Sequence, residues 1–115
     1  MRALTTSRQS DYVLDLEGEA LDDMRRLDAT MRRRVVQVLD RILVNPTAGA
    51  KRLSGSLANC FEHHVANQYR IVYRIKEQII TVQIIAIGKR ENLEVYRVAT
   101  ERVANQPENR TAEPN

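Results

Sequence analysis

The feature that most constrains the fold is a set of three closely spaced segments, residues 60–66, 69–76 and 79–87, rich in Ile, Val, Tyr and Phe. Short runs of β-branched and aromatic residues are typical of strands. Connections of two or three residues join only antiparallel neighbours. The second half of the chain is therefore predicted to be an antiparallel sheet, and residues 12–16 predict one further short strand.

The hairpin between the last two segments is predicted to turn at Glu77–Gln78. A two-residue turn there pairs Ile71 with Ile84 and Tyr73 with Val82. One face of this ribbon is then apolar throughout, as a core-facing sheet requires. The other face carries a mixture of polar and apolar side chains.

The preceding hairpin is predicted to have a three-residue loop at 66–68, which pairs Val65 with Tyr69 and His64 with Arg70. A two-residue turn would place Val65 on the polar face, whereas the longer loop keeps the valine inside. The predicted inward residues of the first strand are Phe61, His63 and Val65. The predicted outward residues of this hairpin are Glu62, His64, Arg70 and Val72.

Two helices are predicted before these strands and one after them. Helical apolar spacing occurs twice, with cap residues at 28–30 between the stripes and an end at Asn45–Pro46. The stripes are Ala20, Leu21, Met24 and Leu27, then Met31, Val35, Val38, Leu39 and Ile42. Gly88 is expected to end the last strand, and the chain beyond it is helical in character to about Val103. The predicted class is α+β, with a helix hairpin on one face of the sheet, the other face open and basic, and a C-terminal helix.

The chain is long enough for one domain, predicted to span residues 11–104. Residues 1–10 are polar and aperiodic, and 105–115 lack apolar anchors, so a flexible N-terminus and a disordered tail are expected. Between residues 51 and 97 there are eight basic and four acidic side chains, against six basic and eight acidic between 11 and 44. This asymmetry favours a polyanionic partner for the sheet.

Several classes of protein are excluded by composition. No apolar run is long enough to span a membrane, and no segment reads as a signal peptide. A single cysteine, Cys60, forms no internal disulfide and is expected to be a small buried residue, which suits a cytoplasmic location. His63 and His64 fall on opposite strand faces and make a poor pair of metal ligands, so neither a metal nor another cofactor is expected.

The outward face collects groups that together suit RNA cleavage by internal attack. That reaction needs a base for the 2′-hydroxyl, cations for the phosphorane, and assistance to the leaving 5′-oxygen. Arg90 is predicted at the sheet rim and Tyr96 six residues further on, where both reach the outward face. The candidate catalytic residues are Glu62, His64, Arg70, Arg90 and Tyr96.

The stretches YRIVYRI and IGKRENLEVY, together with RLSGSL, resemble the RelE branch of the RelE/ParE toxin superfamily over about residues 12–104. The resemblance implies a twisted antiparallel sheet with two helices on one side. It also implies cleavage of mRNA in the ribosomal decoding site, leaving a 2′,3′-cyclic phosphate, and neutralisation by a cognate antitoxin. The expected partners are therefore an antitoxin, the ribosome and mRNA.

By resemblance, Arg70 stabilises the scissile phosphate and Arg90 assists the leaving group. Tyr96 stacks on a substrate base or assists proton removal, and Arg52 contacts RNA. The other basic candidates for RNA binding are Lys51, Arg74 and Lys89, although Arg74 by itself reads as a solvated rim charge.

Glu62 and His64 stand where RelE has two lysines, so the resemblance leaves the general base open among His64, Glu62 and Tyr96. Two other functions remain open. The ParE branch inhibits DNA gyrase without nuclease residues, and an inactive homologue would bind only its antitoxin. The joint presence of Arg70, Arg90 and Tyr96 favours the nuclease.

Overall fold

The sheet has five strands, and the computed structural model describes it within residues 12–106. The strands are β1 (Val13–Asp15), β2 (Lys51–Arg52), β3 (Cys60–Val65), β4 (Tyr69–Lys76) and β5 (Thr81–Lys89). The helices are α1 (Gly18–Arg26), α2 (Ala29–Val44) and α3 (Glu94–Ala104). The strand order is β1-β5-β4-β3-β2. All neighbours are antiparallel except β1, which lies parallel to β5. The predicted α+β class is confirmed, with a mixed sheet.

The predicted ends of the chain lie mainly outside the described residues. Residues 1–11 and 107–115 are outside them. Asn105 and Gln106, assigned above to the tail, are described. The Asn105 amide donates to the Glu101 carbonyl at 3.2 Å, and the Gln106 side chain accepts a hydrogen bond from Arg74. The folded part therefore continues to Gln106.

The β3–β4 hairpin has the predicted register. Val65 pairs with Tyr69, and His64 pairs with Arg70. Ala66 opens the loop with a φ of 55°, in the left-handed region that lets a short hairpin reverse direction. This register places Glu62 and Arg70 on the same face of the sheet.

The predicted two-residue turn between β4 and β5 is wrong. The chain reverses through a 3₁₀ turn at Glu77–Ile79 followed by Ile80 in the left-handed region, and Tyr73 pairs with Ile84. A two-residue turn of the favoured type needs positive φ at both central residues, which Glu and Gln do not favour. The longer turn needs positive φ only at Ile80.

A bulge in β5 changes which residues face the two sides of the sheet. The register shifts between Val72 and Tyr73, so Val72 pairs with Ala86 and Ile85 is the additional residue on β5. Ile87 consequently packs with the helix hairpin, and Ala86 faces the opposite side. The predicted ladder had no bulge, and strand alternation from Ile84 would have placed Ala86 on the side of the helix hairpin.

The helix hairpin packs as predicted. The Asp28 side chain caps α2 by accepting from the Met31 amide at 2.8 Å, and α2 ends at Asn45. The core on this side of the sheet combines Ala20, Met24, Leu27, Val35, Val38, Leu39 and Ile42 with Ile71, Tyr73, Val82, Ile84 and Ile87. None of the helices in residues 12–106 is long and apolar enough to cross a membrane.

The second face of the sheet is covered, so the expectation of an open basic face is wrong. Along α3, Val95, Ala99 and Val103 recur at helical spacing and pack on Val72 and Ala86. The bulge helps to explain this, because it adds apolar surface on this face that must be buried. The molecule has three layers, with α1 and α2 on one side of the sheet and α3 on the other.

Asp23 and Arg102 join the two helical layers around the edge of β5. β1 pairs only with residues 81–83, which leaves the rest of that edge without a neighbouring strand. The Asp23 carboxylate accepts from the Ile87 amide at 3.0 Å and from Arg102 Nη1 at 2.7 Å. The same Nη1 donates to the Ile85 carbonyl at 3.0 Å. An ion pair between α1 and α3 thus takes the place of the missing strand.

Replacing Asp23 with Ala is expected to destabilise the fold by about 2–4 kcal/mol, because it leaves the Ile87 amide without its acceptor and removes the nearest carboxylate from Arg102. Urea unfolding followed by circular dichroism measures the change. Asp22→Ala removes the same charge from a neighbouring exposed position and should cost less than about 0.5 kcal/mol. Equal effects of the two substitutions would contradict this role for Asp23.

Candidate active site

Three polar side chains meet where the first turn of α3 lies against the sheet. Glu62 comes from β3, Arg70 from β4 and Tyr96 from α3. The Tyr96 hydroxyl donates to Glu62 Oε1 at 2.5 Å, and Arg70 Nε lies 3.9 Å from the same oxygen. The side chains of Glu62 and Arg70 are only 5% and 7% exposed, and Tyr96 is half-buried. The structure therefore brings together three of the five predicted catalytic residues.

Gly88 makes room for this arrangement. It pairs with Arg70 across the β4–β5 ladder, and a Cβ atom placed on it would lie 3.4 Å from the Val95 side chain. A larger side chain would push α3 away from the sheet, and with it Tyr96. The expectation that Gly88 ends the strand is wrong, since β5 continues to Lys89.

The guanidinium of Arg70 is held by the backbone, but one of its buried nitrogens is unpaired. Its Nη1 donates to the backbone carbonyls of Asn67 at 3.1 Å and Tyr69 at 2.9 Å, which fixes the guanidinium beside the β3–β4 loop. Its Nε is buried and has no hydrogen-bond partner within residues 12–106. A buried N–H without a partner is unfavourable, so an acceptor that reached it would bind well.

The surroundings of Tyr96 keep its hydroxyl protonated. Burial raises the pKa of Tyr96, and the hydrogen bond to Glu62 and the charge of Glu62 raise it further, whereas Arg70 has the opposite effect. Removing the proton would create a second negative charge beside the carboxylate. Tyr96 is therefore a hydrogen-bond donor at neutral pH, and Glu62 is the acceptor of the pair.

His64 is not part of this cluster. It pairs with Arg70 in the ladder, but its side chain is exposed, and it makes no hydrogen bond to Glu62, Arg70 or Tyr96 in the described structure. It instead lines a groove shared with α2. His63, predicted to point inward, is half-buried beside Gly49.

Arg90 lies at the rim, with its side chain exposed and outside hydrogen-bonding contact with the three clustered residues. Its amide donates to the Gln68 carbonyl at 2.8 Å, which ties the end of β5 to the β3–β4 loop. Asn92 and Leu93 follow, both with positive φ, and separate Arg90 from α3. Arg90 thus borders the site without entering it.

The four predicted RNA-binding residues lie in different environments. Lys51 is exposed and pairs with Glu62, so it shares the face of the site. Arg52 pairs with Phe61 and lies 5.5 Å from the centre of its ring, on the opposite face. Lys89 is exposed at the end of β5, paired with Tyr69.

Arg74 is not the solvated rim charge expected from the sequence. It is 9% exposed and donates to the side chains of Gln83 and Gln106. Sequence patterns gave no signal for these partners, nor for the backbone carbonyls that hold Arg70.

The described residues hold no group of three or more His, Cys, Asp or Glu side chains that could bind a metal. Cys60 is buried as expected, and burial raises the pKa of its thiol although Arg74 opposes the shift. A thiol in that setting is a poor nucleophile. The clustered polar groups that this candidate site offers are those of Glu62, Arg70 and Tyr96.

Comparison with known proteins identifies the family of this chain. The sequence profile of the ParE toxin family of type II toxin–antitoxin systems matches residues 14–94. The mRNA interferase toxin RelE of Escherichia coli K12 is 33% identical over 93 residues, which cover 80% of this chain and 97% of RelE. The chain belongs to the RelE/ParE toxin superfamily. The matching profile is named after the ParE branch, whereas the matching relative is RelE. Because the match covers 97% of RelE, this chain is RelE-like.

Solved structures of RelE proteins share the fold of this RelE-like chain. A variant of E. coli RelE in the free state superposes with a TM-score of 0.67 at 31% identity, covering 81% of this chain and 98% of the other. The toxin–antitoxin complex RelBE2 of Mycobacterium tuberculosis gives a TM-score of 0.63 at 26% identity, covering 70% and 99%. The recognition of the RelE/ParE superfamily from sequence is confirmed.

Glu62→Gln should lower the pKa of Tyr96 toward the ordinary tyrosine value, because it removes the charge while keeping an oxygen that accepts the hydroxyl. In the wild-type protein the pKa of Tyr96 is raised above its ordinary value. The protonated hydroxyl therefore contributes its full stabilisation of the folded state below about pH 10, and this contribution is lost as the pH rises further. NMR titration of ¹³Cζ-labelled tyrosine, assigned with Tyr96→Phe, measures the shift. Glu101→Gln, at an exposed position on α3, is the control, and an unchanged Tyr96 titration in Glu62→Gln would contradict the coupling.

Proposed function

We propose that this protein is the toxin of a type II toxin–antitoxin system and inhibits translation by cleaving mRNA on the ribosome. The observation that carries the proposal is the cluster of Glu62, Arg70 and Tyr96 in a RelE-like fold. It is supported by the similarity to proteins known as mRNA interferases. The reaction is attack of a 2′-hydroxyl on the adjacent phosphate, without a metal ion.

Glu62 is the proposed general base. Among the three candidates, it alone is a hydrogen-bond acceptor inside the cluster, since Tyr96 retains its proton and His64 lies outside. A carboxylate accepts from several donors, so Glu62 can receive the 2′-hydroxyl proton while Tyr96 continues to orient it. The position of the base relative to the proton is the first requirement for such a role.

Arg70 is the proposed stabiliser of the phosphorane. Its buried Nε faces the cluster, and a guanidinium matches the geometry of two phosphate oxygens. As the 2′-oxygen bonds to phosphorus, the bond from phosphorus to the 5′-oxygen breaks, leaving a 2′,3′-cyclic phosphate. Arg90, at the rim, stabilises charge on the departing oxygen, which takes its proton from solvent.

Burial of the cluster supports dependence on the ribosome. Glu62 and Arg70 are closed off beneath Tyr96 in the free protein, and Arg70 is occupied with backbone carbonyls. RNA must reach Glu62 and the unpaired Nε of Arg70 past Tyr96, and it must adopt the in-line geometry of attack, which can be worth several orders of magnitude in rate. We propose that the ribosome supplies this orientation, which places the activity in the cytoplasm.

An antitoxin is the other proposed partner. The similar RelBE2 protein of M. tuberculosis was solved as a toxin–antitoxin complex, and so was E. coli RelBE. An inactive homologue would retain this partner while lacking cleavage. The intact Glu62–Tyr96 contact favours the active enzyme.

Inhibition of DNA gyrase is a second candidate function, favoured by the match to the ParE family profile. On that alternative the three clustered side chains only hold α3 against the sheet. A supercoiling assay with purified gyrase separates the two, because a nuclease leaves supercoiling unchanged.

Arg70→Ala and Glu62→Gln should each lower the rate of mRNA cleavage on ribosomes by about 10²–10³, the usual effect of losing one transition-state or proton-transfer group. Tyr96→Phe should also lower it, because it removes the hydrogen bond that orients Glu62. Primer extension on a translated message measures the rate. Arg25→Ala, on the exposed surface of α1, is the control, and full activity of all three site variants would contradict the mechanism.

The wild-type protein should cleave free mRNA slowly or not at all, and the same mRNA efficiently when a codon occupies the decoding site. Mapping 5′ ends of one transcript with and without ribosomes makes the comparison. Equal cleavage in the two reactions would overturn ribosome dependence and indicate a self-sufficient ribonuclease.

A further inference from the structure

A basic groove lies between α2 and the edge of β3, apart from the candidate active site. Its volume is about 410 Å³. Arg33, Arg34 and Arg41 line one wall, and His64 lies on the other. β2 pairs only with Glu62 and Phe61, so the part of β3 that borders the groove has no outer strand beside it.

The three arginines are free to contact a ligand. All are exposed, and none forms an ion pair or side-chain hydrogen bond in the part of the chain that the structure describes. Arg41 lies in the last turn of α2, where positive charge is favourable to the helix dipole, whereas Arg33 and Arg34 lie beyond the first turn. Three like charges around one groove are unfavourable to the free protein, and a bound anion would relieve their repulsion.

We propose that this groove binds the phosphate backbone of ribosomal RNA while the message occupies the candidate active site. The proposal rests on the ribosome-dependent function above and adds a second RNA contact to it. The arginines contact phosphate oxygens directly, and His64 contributes to this surface in place of the catalytic role expected from the sequence.

The lining of the groove favours RNA over a protein partner. The core of a protein interface is depleted in charge and rich in large apolar side chains. Here the guanidinium groups are joined by Thr30 and Gln37, side chains of the kinds that contact phosphate and sugar in nucleic-acid complexes. Its apolar lining residues are limited to Val38, Val65 and Ala66.

The position of the groove favours ribosomal RNA over the message. His64 follows Glu62 by two residues on β3 and pairs with Arg70, so the groove begins next to the candidate site. α2 nevertheless belongs to the layer on the opposite side of the sheet from Tyr96. A message bound against Tyr96 and Glu62 is therefore separated from α2 by the sheet. The groove remains accessible to the ribosomal RNA that surrounds the message.

The test is the affinity of the purified protein for small ribosomal subunits that carry no message, measured by sedimentation over a series of salt concentrations. Arg33→Gln and Arg41→Gln should each reduce the slope of log affinity against log salt by about 1, and together by about 2. The double variant should bind roughly tenfold more weakly near 0.1 M salt. Arg25→Gln removes the same charge from α1 outside the groove and should leave the slope unchanged.

Thermal unfolding of each variant confirms that these exposed substitutions preserve the fold. An unchanged affinity and slope for the groove variants would overturn the proposal and leave the groove to a protein partner. An equal reduction by Arg25→Gln would also overturn it, by showing that net charge alone is sensed. If the wild-type protein did not cleave mRNA on translating ribosomes but its binding to the subunit still depended on the groove arginines, the proposed nuclease function would be rejected. The proposal that the groove binds ribosomal RNA would still stand.

Discussion

The fold depends on the ion pair between Asp23 and Arg102, because it solves a problem that the sheet cannot solve by itself. β1 pairs only with residues 81–83, so the backbone groups farther along that edge of β5 have no ladder partner. A carboxylate from one helical layer and a guanidinium from the other satisfy the Ile87 amide and the Ile85 carbonyl. Because each of the two side chains also bonds to the backbone of β5, their ion pair holds the two layers to the sheet as one unit.

The geometry of the candidate site depends on the ion pair between Asp23 and Arg102. Tyr96 lies on the same helix as Arg102, about two turns earlier, so the anchoring of α3 also determines how closely the phenol approaches Glu62. The cluster is nearly self-sufficient in hydrogen bonds, with one buried nitrogen of Arg70 unmatched. A site of this kind is stable when empty and gains most from a ligand that supplies the missing acceptor.

Much of the fold follows from local patterns. The helix stripes, the Asp28 cap and the β3–β4 register are all fixed by periodicity and by the need to keep Val65 inside. Strand alternation also placed Glu62 and Arg70 on one face. The bulge in β5 carries no such signal, since Ile85 and Ala86 read as ordinary strand residues. Because the bulge was not predicted, neither the apolar face that α3 covers nor the burial of the site was predicted. The partners of Arg74 and the position of His64 depend on tertiary contacts that spacing does not encode.

The two left-handed residues before α3, Asn92 and Leu93, have a consequence for how this sequence can change. They set the direction in which α3 leaves the rim, and each residue of an α-helix rotates its side chain by about 100°. Inserting or deleting a single residue between Arg90 and Glu94 would therefore turn Tyr96 away from Glu62 while every side chain of the site remained present. The number of residues between Arg90 and Tyr96 in GKRENLEVY therefore fixes the direction of the Tyr96 side chain. We expect substitutions in this segment to be tolerated more readily than changes in its length.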